Sequence, residues 1–121
     1  MRMQDLETCQ NLGEAIAKVT YHKNVLIIAS TDLTHYEPQE IAMKKDQVII
    51  DTILNLDEES LQTAVEVNNI SMCGYGPVTV ALIAAKKIGA TKAKLLSYKT
   101  SGDILNNGRS VVGYAALSII R

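Results

Sequence analysis

The amino-acid sequence predicts a single α/β domain in which a sheet is layered against helices. Three observations carry this. Apolar residues recur at three-and-four spacing in several stretches, the pattern of a helix with one buried stripe. Between the first two of these, Val25-Leu26-Ile27-Ile28-Ala29 forms an unbroken aliphatic run, as in a strand covered on both faces. Towards the C-terminus two β-rich segments flank Asn107-Gly108, a strong turn dipeptide. With 121 residues the chain suffices for one compact domain, read here as residues 1–121, and falls short of a comfortable two.

Each element follows in order. Residues 4–19 place Leu6, Cys9, Leu12, Ile16 and Val19 on one helical stripe, where Cys9 reads as a small core residue. A polar turn over residues 20–24 leads into the predicted strand at 25–29. Residues 30–38 then crowd polar groups at that strand's end, and Pro38 blocks an early helix. From Gln39 to Leu56 the spacing turns helical, with Ile49, Ile53 and Leu56 on one side. Asp57 is a plausible N-cap for a second helix that buries Leu61, Ala64 and Val65.

A loop over residues 68–76 carries Cys73. The next helix opens with Pro77 in its first turn and stops at Gly89. Residues 92–98 and 110–120 complete the pattern as two antiparallel neighbouring strands. The strands at 25–29 and 92–98 are expected to run parallel, with helices crossing between them. Ligands in such sheets gather beyond the carboxyl ends of the strands, where residues 30–38 fall.

Composition narrows the function. Hydrophobic residues make up 47% of the chain, enough to build a core. There is no Trp or Phe, and all five aromatics are Tyr, which removes the usual stacking platforms for single-stranded nucleic acid. A net charge of −1, with Lys and Arg dispersed, argues against nucleic acid or an anionic membrane as partner. No apolar run approaches the roughly 20 residues of a membrane span. The first residues turn acidic and amphipathic at once, unlike a signal peptide. Two Cys without a secretory signal make the reducing cytoplasm the expected location. No Walker loop, Rossmann fingerprint, nucleophile elbow or zinc finger is present, so no nucleotide cofactor is expected.

Few residues remain that carry chemistry. Asp32 and His35, three apart on a loop, can converge on one metal ion or one proton: imidazole supplies a nitrogen ligand or base, and the carboxylate an oxygen ligand or an orienting group. Asp32 could equally cap a turn, and His35 could be structural. Cys73 sits just before a helix, where the dipole's positive end favours thiolate, the form that binds soft metals. The flanking glycines could otherwise merely permit a bend. His22 reads as a surface or capping histidine. Tyr98, Ser101 and Asp103 follow the 92–98 strand and could line the same strand-end region, although Asp103 could simply make an Asx-type turn.

Four ordered segments together resemble the Memo family: Ala29-Ser30-Thr31-Asp32-Leu33-Thr34-His35-Tyr36, Cys73-Gly74-Tyr75-Gly76-Pro77, Ser97-Tyr98-Lys99-Thr100-Ser101-Gly102-Asp103 and Val111-Val112-Gly113-Tyr114-Ala115-Ala116. The resemblance implies a fold similar to the class III extradiol dioxygenases and a cleft holding Asp32, His35 and Cys73 as metal ligands. Tyr75, Tyr98, Ser101 and Asp103 are expected as binding residues beside that cleft. Iron, copper or zinc are the implied metals, in a redox or dioxygenase-like site. Family proteins of bacteria and archaea are associated with a radical-SAM protein, and animal members with receptor-peptide binding. The family's N-terminal part contributes further histidines to the cleft, and its members are markedly longer. This chain therefore resembles a C-terminal part, and it is expected to form a homo-oligomer or to pair with a chain supplying the missing N-terminal half. The alternative to a metal site is a non-catalytic peptide- or protein-binding module, or a truncated assembly fragment, using the same cleft.

Overall fold

A computed structural model describes residues 1–121. The α/β expectation holds: five helices pack around a small antiparallel sheet. Helix α1 spans Leu6–Thr20. Asp5 caps it, its carboxylate accepting from the Thr8 N–H at 2.9 Å. Strand β1 is only His35–Glu37, followed by α2 (Gln39–Leu54), α3 (Glu58–Val67) and α4 (Tyr75–Lys87). Strand β2 (Lys92–Thr100), the short helix α5 (Gly102–Leu105) and strand β3 (Val111–Ile120) complete the chain.

Local signals placed most of these elements. Asp57 caps α3 as expected, accepting from the Ser60 N–H at 2.9 Å. Gly89 ends α4 at φ +98°, a left-handed conformation that glycine adopts without the steric cost of a Cβ. Strands β2 and β3 pair from Lys92↔Ile120 to Thr100↔Gly113, with Leu96 as an extra residue on β2. One core joins the sheet to the helices through Leu33, Ile49, Ile50, Leu61, Met72 and Leu82. A smaller cluster of Cys9, Val80 and Ile83 seals α1 against α4.

The structure corrects two expectations. Residues 25–29 form no strand: they have no regular secondary structure and no backbone partner, with Leu26 84% and Ile28 78% exposed. A strand exists only through its partner, and nothing in this chain lies beside that run to bond it. The expected parallel pairing with 92–98 is therefore absent, and the sheet, in the order β1-β3-β2, is antiparallel throughout. Sequence reading also missed β1, which is short enough to be defined only by its pairing with β3.

Candidate metal centre

The chain's chemistry-bearing loop, residues 30–38, is fastened to β3. The Leu33 N–H donates to the Gly113 carbonyl and the Gly113 N–H to the Thr34 carbonyl, each at 2.9 Å. Glu37 pairs with Val111 and His35 with Val112, which leaves Tyr36 as a bulged residue at φ 59°. Left-handed backbone at a non-glycine residue stores strain, and such residues and bulges concentrate beside functional sites.

The same loop is held from below by Asp46 of α2. This fully buried carboxylate accepts from the Thr34 N–H at 2.9 Å and from the Tyr98 hydroxyl at 2.7 Å. Gly113 admits this contact, because a Cβ there would lie 1.8 Å from an Asp46 oxygen. Burial pushes the Tyr98 phenol above its usual range, and the Asp46 hydrogen bond and charge push it further. Sequence reading missed Asp46, which sits beside Lys44 and Lys45 and looks there like one more solvated helix charge.

Above this base, Asp32, His35 and Cys73 converge. One ligand atom from each lies within 4.8 Å of the others, although Cys73 is 38 residues beyond His35 in sequence. His35 Nε2 stands 3.6 Å from Asp32 Oδ2. Its Nδ1 lies 2.7 Å from the Ser71 carbonyl, and since a carbonyl only accepts, Nδ1 carries the proton and Nε2 offers its lone pair. The Cys73 sulfur accepts from the Asp32 N–H at 3.3 Å and touches the Thr31 hydroxyl at 3.6 Å. Thr31 in turn accepts from the Gly74 N–H at 2.8 Å, tying the two loops together.

A metal ion fits this donor set. Bond lengths of about 2.0–2.3 Å separate tetrahedral ligand atoms by roughly 3.3–3.8 Å. The Asp32–His35 spacing already falls in that range, and closing the widest separation takes about an ångström of side-chain movement. A histidine whose second nitrogen is tied to a carbonyl is the usual arrangement of a metal-bound imidazole. Cys73 is exposed, and Asp32 and His35 are half-buried, so the site opens to solvent on one side.

The remaining candidates do not join this triad. Tyr75 begins α4 and packs against the core. Tyr98 reaches the site only through Asp46 and Thr34. Ser101 accepts from the Val112 N–H at 3.0 Å, on the far side of β3 from His35. Two strand spacings of about 4.8 Å thus separate their backbones by roughly 10 Å along the same rim. Asp103 holds the β2–α5 turn, accepting from the Thr100 N–H at 2.7 Å; that bond lowers its pKa from the ordinary carboxyl value. His22 is exposed and meets only the Tyr21 ring, edge on.

Comparison with known proteins decides the family. Residues 1–118 match the family described as Memo-like protein. The chain belongs to the Memo family. Over 118 residues it is 54% identical to a MEMO1 family protein of Methanocaldococcus jannaschii, matching 96% of this chain and 41% of that one. It is 50% identical to a MEMO1 family protein of Methanococcus vannielii, matching 98% of this chain and 43% of the other. A Methanosarcina barkeri relative is 44% identical over 97% of this chain and 45% of its own length. The chain thus spans less than half the length of these Memo relatives. Its mixed architecture agrees with the class III extradiol dioxygenase-like fold of the Memo family. No helix is long and apolar enough to cross a membrane.

Proposed function

We propose that this chain is the C-terminal, metal-binding part of a Memo-like protein, with Asp32, His35 and Cys73 holding iron, copper or zinc in a redox or dioxygenase-like cleft. The observation that carries this reading is the fixed His35 ring: Nδ1 is committed to the Ser71 carbonyl at 2.7 Å, which leaves Nε2 free and facing Asp32 and Cys73. Sulfur and imidazole donors suit copper and zinc, whereas oxygen-activating iron sites use two histidines and a carboxylate. A metal held there supplies a Lewis acid or a redox centre. Asp32 neutralises positive charge at the ion and orients the donor set, while Thr31 and the Asp32 N–H hold the sulfur in place. Three ligands on an open face leave room for further donors, which the rest of the family length would contribute.

Measuring metal content of the purified chain by elemental mass spectrometry, beside a His35→Ala/Cys73→Ala variant, tests this reading. Near-stoichiometric metal in the wild type alone is expected. No metal in either folded protein would overturn it.

The second reading is a non-catalytic peptide- or protein-binding module or an assembly fragment, favoured by the exposed apolar run at 25–29. Partner binding that survives the double substitution would support it. The proposed setting is the cytoplasm, where Cys9 and Cys73 stay reduced. A functional link to a radical-SAM protein is carried over from the family resemblance.

A further inference from the structure

We propose that the wedge between residues 25–29 and the free edge of β3 is a slot for one extended β-strand, and that its occupant comes from the portion of the Memo length this chain lacks. The occupant's origin rests on the reading that the chain is part of a longer fold; the slot itself does not depend on any metal.

The edge is defined by pairing. On one side β3 bonds to β2 along its whole length. On the other it meets β1 at Val111 and Val112 and residues 33–34 at Gly113, and no backbone bond joins residues 25–29 to it. Alternation along an antiparallel strand fixes which groups are left over. Val112 and Ile120 both bond toward the β2 side, accepting from the Ser101 and Thr91 N–H groups at 3.0 Å, so β3 keeps one parity throughout. Gly113 bonds the opposite way. Ala115, Leu117 and Ile119, counted on by twos, therefore aim their N–H and C=O groups into the open side.

Facing that edge, residues 25–29 are β-prone and unpaired, and burial alternates residue by residue from Leu26 to Ser30, the period of an extended segment. The space between is a cavity of about 480 Å³ lined almost wholly by apolar side chains, among them Leu26, Ile28, Leu117 and Ile119, with Val78 and Ala81 of α4 over it. A free strand edge and an unpaired β-prone run around an apolar trough match β-strand addition, in which main-chain bonds give affinity and alternate side chains enter the pockets. At about 3.3 Å per residue, a strand of roughly five residues covers the edge from Ala115 to Ile119.

A second copy is a poor occupant. Its other long edge is β2, which carries exposed Lys92 and Lys94, and lysine on an edge strand deters such pairing. Inserting it would also bury ammonium groups against apolar walls. The relatives instead supply more than half of their length from outside the matched region. Met1, Leu12 and Ile16 line a second, smaller hollow together with Ile27, Ile28 and Ala29, so the first residue described is near this run.

The test co-expresses the full chain with the part of the Methanocaldococcus jannaschii relative that it does not match, then reads hydrogen exchange by mass spectrometry. A one-to-one complex is expected, with exchange slowed at least tenfold at residues 25–29 and at 115, 117 and 119 together. Leu26→Asp/Ile28→Asp, at exposed positions that leave the fold intact by circular dichroism, abolishes the complex. No complex, a complex without protection at these amides, or the same protection in the isolated chain at rising concentration would each overturn the proposal. Metal content of the complex is measured separately: a metal-free complex with the slot protected overturns the metal reading alone.

Discussion

Ser71 holds His35 at two points: its hydroxyl accepts the His35 main-chain N–H at 2.7 Å, and its carbonyl accepts Nδ1–H at the same distance. Ring rotation and backbone position are thus fixed by one residue just before Cys73. His35→Ala removes the nitrogen donor and is expected to weaken zinc or copper binding at least 100-fold, with a stability loss of about 1 kcal/mol for the Ser71 hydrogen bond of a side chain only 20% exposed. Ser71→Ala keeps the carbonyl and loses the hydroxyl, so a loss of about tenfold is expected, the low end for outer-shell partners. Competition titration with a chromophoric chelator measures both. Equal affinities in all three proteins would remove His35 from the site.

The Tyr98–Asp46 bond links the sheet to α2 beneath this site. Tyr98→Phe leaves a buried carboxylate short of one donor, and a loss of about 1–2 kcal/mol is expected, limited because Tyr98 is only half-buried. The pH dependence has a definite sign. The folded-state phenol is raised above its ordinary 10.0, so its contribution is complete below pH 10 and is lost as pH rises beyond it. Urea melts at pH 8 and pH 11 should show the wild-type advantage shrinking. An advantage that grew with pH would contradict the hydrogen-bond assignment.

Gly113→Ala is expected to be among the most damaging single substitutions, at about 3 kcal/mol or more. The new methyl would sit 1.8 Å from Asp46, which can retreat only by giving up Thr34 or Tyr98. Thermal melts of the variant beside Gly108→Ala, where a Cβ meets nothing closer than 3.5 Å, separate this clash from a general glycine effect.

Asp57→Ala should cost about 1 kcal/mol through loss of the α3 cap. The hydrogen bonds from Ser60 hold the Asp57 carboxyl below its ordinary 3.8. Its contribution is therefore present above about pH 4 and fades as pH falls through the lowered value. Wild type and variant are expected to differ at pH 7 and to converge near pH 2, as denaturant melts would record.

Much of the fold was legible because it is written locally. Helical spacing, the Asp57 cap and the Gly89 stop each act within a few residues, and α3 and α4 follow them, whereas α5 precedes Asn107-Gly108 in a connection that sequence reads only as a loop. The run at 25–29 has the composition of a covered strand, yet composition states only a preference. Asp46 and Ser71 escaped notice for a related reason: a helix charge and a loop serine are ordinary until the chain folds them under Thr34 and against His35.

The sequence by itself marked the candidates: Asp32, His35 and Cys73 as ligand-bearing residues in recognisable segments, with Tyr75, Tyr98, Ser101 and Asp103 beside them. The tertiary structure decided that they meet, that Nε2 is the free nitrogen of His35, and that β3 keeps an open edge. Side-chain type is fixed residue by residue, whereas convergence and strand pairing depend on contacts between segments far apart in the chain. Such contacts are settled only when the backbone's hydrogen bonds have been shared out.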